Sequence, residues 1–229
     1  MAPKEKTNQH LMRKLFTAVA PRYDLVTRLF SFGMDRRWKT TGVAGASLRP
    51  NSRALDLACG TGDFSRLLRR THAASHVVAL DLTEPMLRLA KADGAAEAVC
   101  ADAACLPFAA GTFDCVLVGY GLRNFPHLNQ TLAEIQRVTK PGGLLVSLDF
   151  FLPENRVFRP LYLGYLFVQG AFWGLLLHGK PRIYTYIWDS VRSFLSMGEF
   201  SSLLRTAGFS EVRSRGFVLG GIAVHWARR

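Results

Sequence analysis

Ala54-Leu55-Asp56-Leu57-Ala58-Cys59-Gly60-Thr61-Gly62-Asp63 is a short apolar run that breaks into a glycine turn. The run reads as a buried strand, and the turn as the first strand-to-helix connection of an open α/β sheet. Glycine suits that place because the backbone must turn sharply and lie close against a ligand, where a Cβ would clash. A G-x-G also serves purely structural turns, so its meaning rests on what surrounds it.

Downstream, short apolar runs alternate with helical patterns. Strands are expected near 53–58, 76–81, 97–101, 113–118 and 143–150, and helices near 63–70, 85–92 and 129–139. That alternation predicts a mostly parallel sheet with helices on both faces. Pro141-Gly142-Gly143 reads as a turn before the fifth strand. After Gly208-Phe209, two closing strands near 211–217 and 221–227 flank Leu219-Gly220-Gly221 as a hairpin, giving seven strands. Upstream, Leu11, Leu15, Phe16 and Val19, then Leu25, Val26, Leu29 and Phe30, recur at helical spacing, with Pro21 at the boundary between the two runs.

Residues 160–177, PLYLGYLFVQGAFWGLLL, contain no charge. Eighteen apolar residues reach the lower limit for a membrane span. A span would separate the last strands from the first five, so helices that cap the site or dip into a bilayer surface are preferred. Gly170 and Gly174 are spaced for close helix packing. The chain is thus read as one domain in four parts: a helical extension (1–48), a ligand-binding core (49–150), an apolar cap (151–195), and a closing helix with the strand hairpin (196–229).

The 229 residues carry a net charge of +12. Residues 1–50 hold ten Lys and Arg against three Asp and Glu, and residues 151–229 ten against four, while the central block 51–150 holds nine against ten. Basic flanks around a neutral core suit an anionic surface, nucleic acid or acidic lipid, or a plain solvated exterior. The four cysteines, Cys59, Cys100, Cys105 and Cys115, have no metal or redox spacing and are expected to be reduced and packed as small hydrophobes. No apolar segment follows the N-terminal charges, which points to a cytoplasmic chain.

The chemistry begins with Asp81, which ends the second expected strand about twenty residues past the glycine turn and can accept both hydroxyls of a ribose. Asp102 follows the third strand and can reach the exocyclic amine of an adenine. Either carboxylate alone could be a helix cap; the ordered set of three loop ends points to a nucleoside. Gly60-Thr61-Gly62-Asp63-Phe64-Ser65 lacks the third glycine of a dinucleotide turn, and Asp63 heads the helix where a pyrophosphate would sit. Close backbone approach without phosphate recognition fits S-adenosylmethionine better than a nicotinamide dinucleotide.

These residues resemble the class I S-adenosylmethionine-dependent methyltransferases, and more closely the quinone C-methyltransferases of menaquinone and ubiquinone synthesis. The similarity runs along nearly the whole chain. Restrictive segments are Arg22-Tyr23-Asp24, Ser31-Phe32-Gly33-Met34-Asp35-Arg36-Arg37-Trp38 and Gly121-Leu122-Arg123-Asn124; more widely shared are the glycine turn and Lys140-Pro141-Gly142-Gly143. The resemblance implies a cofactor set of Asp56, Gly60, Thr61, Gly62, Asp81, Leu82, Asp102, Ala103 and Gly119. Many members carry serine two residues before Gly-Leu-Arg-Asn, where this chain has Gly119, so only a backbone role is expected there.

The implied reaction is methyl transfer from sulfonium sulfur to a ring carbon of a reduced prenylated quinone, with no metal. Demethylmenaquinol is favoured over a ubiquinol precursor. Arg123, just beyond the fourth strand, is expected to stabilise the developing oxyanion or, alternatively, to form a structural ion pair; Asn124 and Tyr23 are expected at the ring or its loop. His225 is read as structural or gating. A nucleic-acid methyltransferase would carry an Asn/Asp-Pro-Pro-aromatic segment after the fourth strand, and Gly119-Tyr120-Gly121-Leu122-Arg123-Asn124 stands there instead. A noncatalytic S-adenosylmethionine-binding factor is the other alternative. Expected partners are the quinol, a second copy of the chain in a homodimer, and an anionic membrane surface at the inner face. That surface would be held by Lys4, Lys6, Arg13, Lys14, Arg36, Arg37, Lys39, Arg156, Arg159, Lys180 and Arg182; nucleic acid is not expected.

Overall fold

Apolar strands buried on both faces need a helical layer on each side, and the chain supplies both. The computed structural model describes residues 12–46, 48–71, 76–94 and 97–229. Its seven strands are β1 (Arg53–Leu57), β2 (His76–Asp81), β3 (Glu97–Cys100), β4 (Phe113–Gly119), β5 (Thr139–Phe150), β6 (Ser210–Phe217) and β7 (Ile222–Arg228). They form one sheet in the order β3-β2-β1-β4-β5-β7-β6. Pairing is parallel from β3 through β5 and antiparallel between β5 and β7 and between β7 and β6. This is the expected α/β architecture. Strand order reverses between β1 and β4, the place where open sheets of this kind bind ligands.

The helices are α1 (12–19), α2 (Tyr23–Phe30), α3 (Asp35–Ala44), α4 (Asp63–Thr71), α5 (Glu84–Ala92), α6 (Leu128–Val138), α7 (Phe158–His178), α8 (Arg182–Arg192) and α9 (Met197–Thr206). Alternation along the strands sets the two larger core clusters on opposite faces, beside a small third one of Cys59, Ala79, Leu87 and Ala90. Leu117, Val146 and Leu148 pack with Trp38, Phe64 and Leu68 on one face. Leu55, Leu57, Val116 and Leu145 pack with Leu132, Ile135, Phe200 and Leu204 on the other.

The fifth strand departs from expectation. Pro141-Gly142-Gly143 does not precede it but interrupts it: Thr139 already pairs with Phe113, and the register then shifts before Cys115 meets Leu144. Gly142 takes φ +75°, and the end of β7 satisfies the excursion, with Gly142 N–H donating to Arg229 O (3.0 Å) and Arg229 N–H to Gly143 O (2.9 Å). The cysteines are all free, but only Cys59 and Cys115 are buried; Cys100 and Cys105 stand exposed at and beyond the end of β3.

The apolar segment becomes α7, which packs on α8. Its buried residues Tyr162, Leu166, Gly170 and Gly174 recur every four positions. A Cβ on Gly170 would lie 2.9 Å from Tyr184 O, and one on Gly174 2.7 Å from Lys180 O, so the expected close approach is real. Gly179 ends the helix at φ +64°, with Lys180 N–H donating to Gly174 O. The pair is fastened to α2 by Tyr165 Oη donating to Phe30 O (2.9 Å) and by Tyr184 edge-on to Phe30. Arg22 also donates to Leu177 O. Cap and N-terminal extension therefore form one wall beside the carboxyl edge of the sheet.

Candidate functional site

Two adjoining cavities open at that edge. The first is lined by Ala58 and Gly60 of the glycine turn, Asp81, Leu82 and Thr83 after β2, and Ala101, Asp102 and Ala103 after β3. Gly119, Tyr120, Gly121, Asn124 and Phe125 follow from β4, and Met12, Arg13, Phe16 and Tyr23 from the N-terminal helices close over it. The second lies inward and is lined by Val19, Tyr23, Thr27, Phe30, Ser31, Tyr120, Arg123, Phe150, Tyr184, Tyr186 and Ile187. Tyr23 and Tyr120 belong to both, so they mark the junction.

Asp81 is a hub of the first cavity. Its Oδ2 accepts from Gly60 N–H (2.9 Å) and its Oδ1 from Thr83 N–H (2.8 Å), which fixes the glycine turn against the end of β2. Burial raises its pKa and these amides oppose the rise. The Thr83 side chain and the Leu82 backbone also hydrogen-bond this carboxylate, which fixes it at the cavity wall. Asp102 Oδ1 accepts from Ala104 N–H (2.9 Å), which orients that carboxylate beside Ala103. Leu82 adds apolar surface, and its carbonyl accepts from Arg13 Nε (3.2 Å). The ordered carboxylates, the bare glycine backbone and the apolar slot fit the nucleoside of S-adenosylmethionine.

Three residues of the expected cofactor set stand behind the cavity rather than on its wall. Asp56 is spent on Ser65, accepting from its backbone N–H (2.8 Å) and its Oγ (2.7 Å); burial raises its pKa to about 7. Thr61 Oγ1 donates to Asp24 Oδ1 (2.5 Å) and ties the glycine turn to α2. Gly62, at φ +84°, lies where a Cβ would meet Ala90 Cβ at 3.1 Å. All three hold the turn, α4 and α5 in place. Asp63 heads α4, where it pairs with Lys39 and Arg66.

Gly119 shows why a side chain is missing there. A Cβ would stand 2.5 Å from Phe64 Cε2, so the phenyl ring of α4 fills the space.

In the second cavity Arg123 is the only charged wall residue among those described. It lies in the short turn Leu122–Asn124 after β4. Its Nη1 bonds Asp149 Oδ1 (2.5 Å) and Tyr120 O (2.9 Å), its Nε donates to Ser190 Oγ (3.2 Å), and its guanidinium stacks 5.0 Å from the Phe150 ring. Burial raises the pKa of Asp149, and Arg123 pulls it back toward the ionised form. Burial likewise raises the Tyr186 phenol, against the pull of the Arg123 guanidinium beside it. Arg123 thus forms the ion pair of the alternative reading, and it also lines the second cavity.

Asn124 Nδ2 donates to Tyr120 O (3.3 Å) while the residue lines the first cavity, and Tyr23 closes both cavities near Gly60. Burial, with Tyr186 nearby, raises the Tyr23 phenol far above its ordinary value, so it stays a neutral hydroxyl. His225 is wholly buried between Phe151 and Phe200, away from both cavities, and is structural. Sequence patterning gave no role to Asp149, Tyr120 or Tyr186; an aspartate near the end of an apolar fifth strand was the available signal for the first.

The family model for the ubiE/COQ5 methyltransferase family matches residues 4–229. The chain belongs to that family. This methyltransferase is 34% identical over 228 residues to the demethylmenaquinone methyltransferase of Lactiplantibacillus plantarum, covering 96% of each chain. It is 39% identical to the ubiquinone/menaquinone biosynthesis C-methyltransferase UbiE of Syntrophotalea carbinolica, over 92% of this chain and 90% of that one. Among solved structures, a putative methyltransferase in complex with the Trm112 activator of Haloferax volcanii matches with a TM-score of 0.68 at 18% identity, over 93% of this chain and 96% of that one. That likeness concerns the fold. The chain is an S-adenosylmethionine-dependent C-methyltransferase, as its first cavity implies.

Proposed function

We propose that this methyltransferase adds a methyl group to a ring carbon of a prenylated quinol, converting demethylmenaquinol to menaquinol. The observation that carries the reading is the junction of the two cavities: a nucleoside-type site meets, at Tyr23 and Tyr120, a chamber whose only charged wall residue among those described is Arg123. S-adenosylmethionine, bound in the first cavity, supplies an electrophilic methyl group. The neighbouring ring carbon becomes nucleophilic as its adjacent hydroxyl loses a proton. Arg123 faces that oxygen as a permanent cation, since guanidinium pKa values exceed about 12. It stabilises the oxyanion without accepting the proton, which leaves to water; once the methyl had passed from sulfur to carbon, leaving S-adenosylhomocysteine, the methylated carbon would lose its ring hydrogen as a proton to water and the oxygen would take one back, restoring the quinol. Asp149, Ser190 and Tyr120 O hold the guanidinium in one orientation, so no reorganisation is needed as charge develops. An aligned oxyanion donor contributes about 3 kcal/mol, and holding the ring carbon in line with the methyl several more.

The prenyl tail places the substrate in a bilayer, and the outer face of α7 suits one. Val157, Leu161, Val168, Phe172 and Leu175 share that face and are exposed. Arg156 lies before the helix, and Lys180 and Arg182 after it, all exposed. By length and composition α7 could also cross a membrane, but its glycine stripe is packed on α8. We read it as lying in the surface of an anionic bilayer. Lys39 does not contribute, because it is buried and paired with Asp35 and Asp63. Lys4, Lys6 and Leu11 lie outside the described residues.

Turnover of a short-tailed demethylmenaquinol with labelled S-adenosylmethionine tests the reaction, and a labelled menaquinol is the expected product. Cells lacking the protein should accumulate the demethylated quinone. Absence of both results would reject the reading, and accumulation of a ubiquinol precursor instead would transfer it to the benzoquinol.

A further inference from the structure

Four hydroxyls around the second cavity have partners inside the protein. Tyr184 Oη pairs with His178 Nε2 (2.8 Å). Thr27 Oγ1 donates to Tyr23 O (3.0 Å), and Ser31 Oγ reaches Arg28 O (3.2 Å) and Asp35 Oδ1 (3.1 Å). Tyr186 stands against the Arg123 guanidinium. Tyr120 differs: its residue is only 6% exposed, yet its Oη has no protein hydrogen-bond partner. Two other side-chain atoms among the described residues share that state, Ser147 Oγ and His225 Nδ1, and neither residue lines either cavity. Buried hydroxyls without partners are uncommon because desolvation goes uncompensated, and this one belongs to a residue that lines both cavities, where a ligand can bring the partner.

The backbone gives a second, independent sign. Tyr120 sits at φ +58°, a conformation that large side chains avoid. It is held there by its own N–H donating to Leu148 O (2.7 Å) and by its carbonyl accepting from Arg123 and Asn124. Phe150 packs its ring at 5.3 Å, and Lys39 Nζ lies 5.7 Å from its centroid. An aromatic ring held in a disfavoured conformation beside the group that receives one quinol oxygen is a positioning device.

We propose that the Tyr120 hydroxyl hydrogen-bonds the second ring oxygen of the quinol, para to the oxygen held at Arg123, and so selects 1,4-quinols and sets the ring's orientation beneath the methyl donor. This rests on the quinol reading above. The second oxygen gains no charge during transfer, so its hydrogen bond is equally strong in ground and transition states and acts on binding rather than on turnover.

The test is Tyr120→Phe, which removes only the hydroxyl. The quinol Kd, measured with a short-tailed demethylmenaquinol in the presence of S-adenosylhomocysteine, should rise about tenfold, and KM with it. Turnover should stay within twofold, S-adenosylmethionine affinity should be unchanged, and Tm should not fall. An unchanged quinol Kd would overturn the assignment, as would a lowered Tm with unchanged Kd, which would make the hydroxyl structural. A shift confined to S-adenosylmethionine affinity would overturn it too. If wild type neither binds nor methylates the quinol, the parent reading falls and this one with it. If wild type turns over and the variant matches it, only Tyr120 loses its role.

Discussion

Arg123 and Asp149 form an ion pair, Nη1 to Oδ1, whose side chains are 3% and 0% exposed. It joins the turn after β4 to β5 and leaves the guanidinium facing the inner cavity. Breaking a buried pair from one side leaves an unpaired charge and costs about 3–5 kcal/mol. Asp149→Asn should therefore lower Tm by several degrees and turnover by at least about 100-fold, because the oxyanion donor loses its fixed orientation. Arg123→Lys keeps the charge but loses the fork that meets Asp149, Ser190 and Tyr120 O at once, and should cost a similar factor. Since Arg123 lines the acceptor cavity and not the nucleoside cavity, calorimetry should find S-adenosylmethionine affinity within a few-fold in both variants. Retained turnover in either would remove Arg123 from the chemistry.

Gly119 and Phe64 are matched in volume. Gly119→Ser would place a Cβ 2.5 Å from the ring edge, and overpacking of this kind costs about 1–3 kcal/mol. The single variant should unfold at lower denaturant concentration and bind S-adenosylmethionine more weakly, as the ring is forced toward the cavity floor. Phe64→Ala combined with Gly119→Ser should be more stable than the sum of the two single changes, a coupling read from a double-mutant cycle. Strict additivity would show that the two positions do not compete for the same space.

What could be read along the chain was what local chemistry determines. The glycine turn, Asp81 and Asp102 announce themselves because each ends a strand of recognisable pattern, and strand ends share one edge of a parallel sheet. The supports of those residues lie far off in sequence. Asp149 reaches Arg123 across 26 residues, and Asp24 reaches Thr61 across 37. Thr61 and Asp56 carry the right residue types, yet their side chains face Asp24 and Ser65: Asp56 because a strand offers alternate residues to opposite sides, Thr61 because the turn beyond β1 lies against α2. Lys39 looks like one more surface cation until folding puts it between Asp35 and Asp63. The Pro-Gly-Gly turn was legible as a break, but not as a bulge, since its partner is the chain's last residue.

His225 gives a pH signature separate from catalysis. Burial lowers its pKa to about 4, against about 6.5 unfolded. A histidine kept neutral on folding costs nothing above pH 6.5, where both states are neutral. As pH falls from 6.5 toward 4, the unfolded chain takes up a proton that the folded one refuses, so stability is lost across that window. The loss from this residue amounts to about 2–3 kcal/mol at pH 4.5. Burial raises Asp56, Asp81 and Asp149 above the ordinary carboxylate value, and their contributions run the opposite way. The test is therefore a difference. His225→Phe should gain on wild type by that amount between pH 7 and 4.5 in urea unfolding, and parallel pH curves would show that His225 titrates normally.

The outer face of α7 makes the last prediction. Leu161, Val168, Phe172 and Leu175 are each 55–69% exposed, an apolar stripe that solvent alone leaves uncovered. Basic residues near an anionic bilayer contribute about 1 kcal/mol each, and the contribution is screened by salt. Wild type should sediment with vesicles containing anionic lipid at low salt, and less with neutral vesicles or at high salt. Val168→Glu with Phe172→Glu should abolish binding to both kinds of vesicle. Neither residue lines a cavity of the site, so the variant should turn over a detergent-dispersed short-tailed quinol at the wild-type rate. If the stripe instead covers a second copy of the chain, light scattering would show a wild-type dimer and a variant monomer, with vesicle binding unchanged between them. A lipid surface predicts the reverse pattern, with the mass in solution unaltered by the substitutions and the vesicle-bound fraction lost.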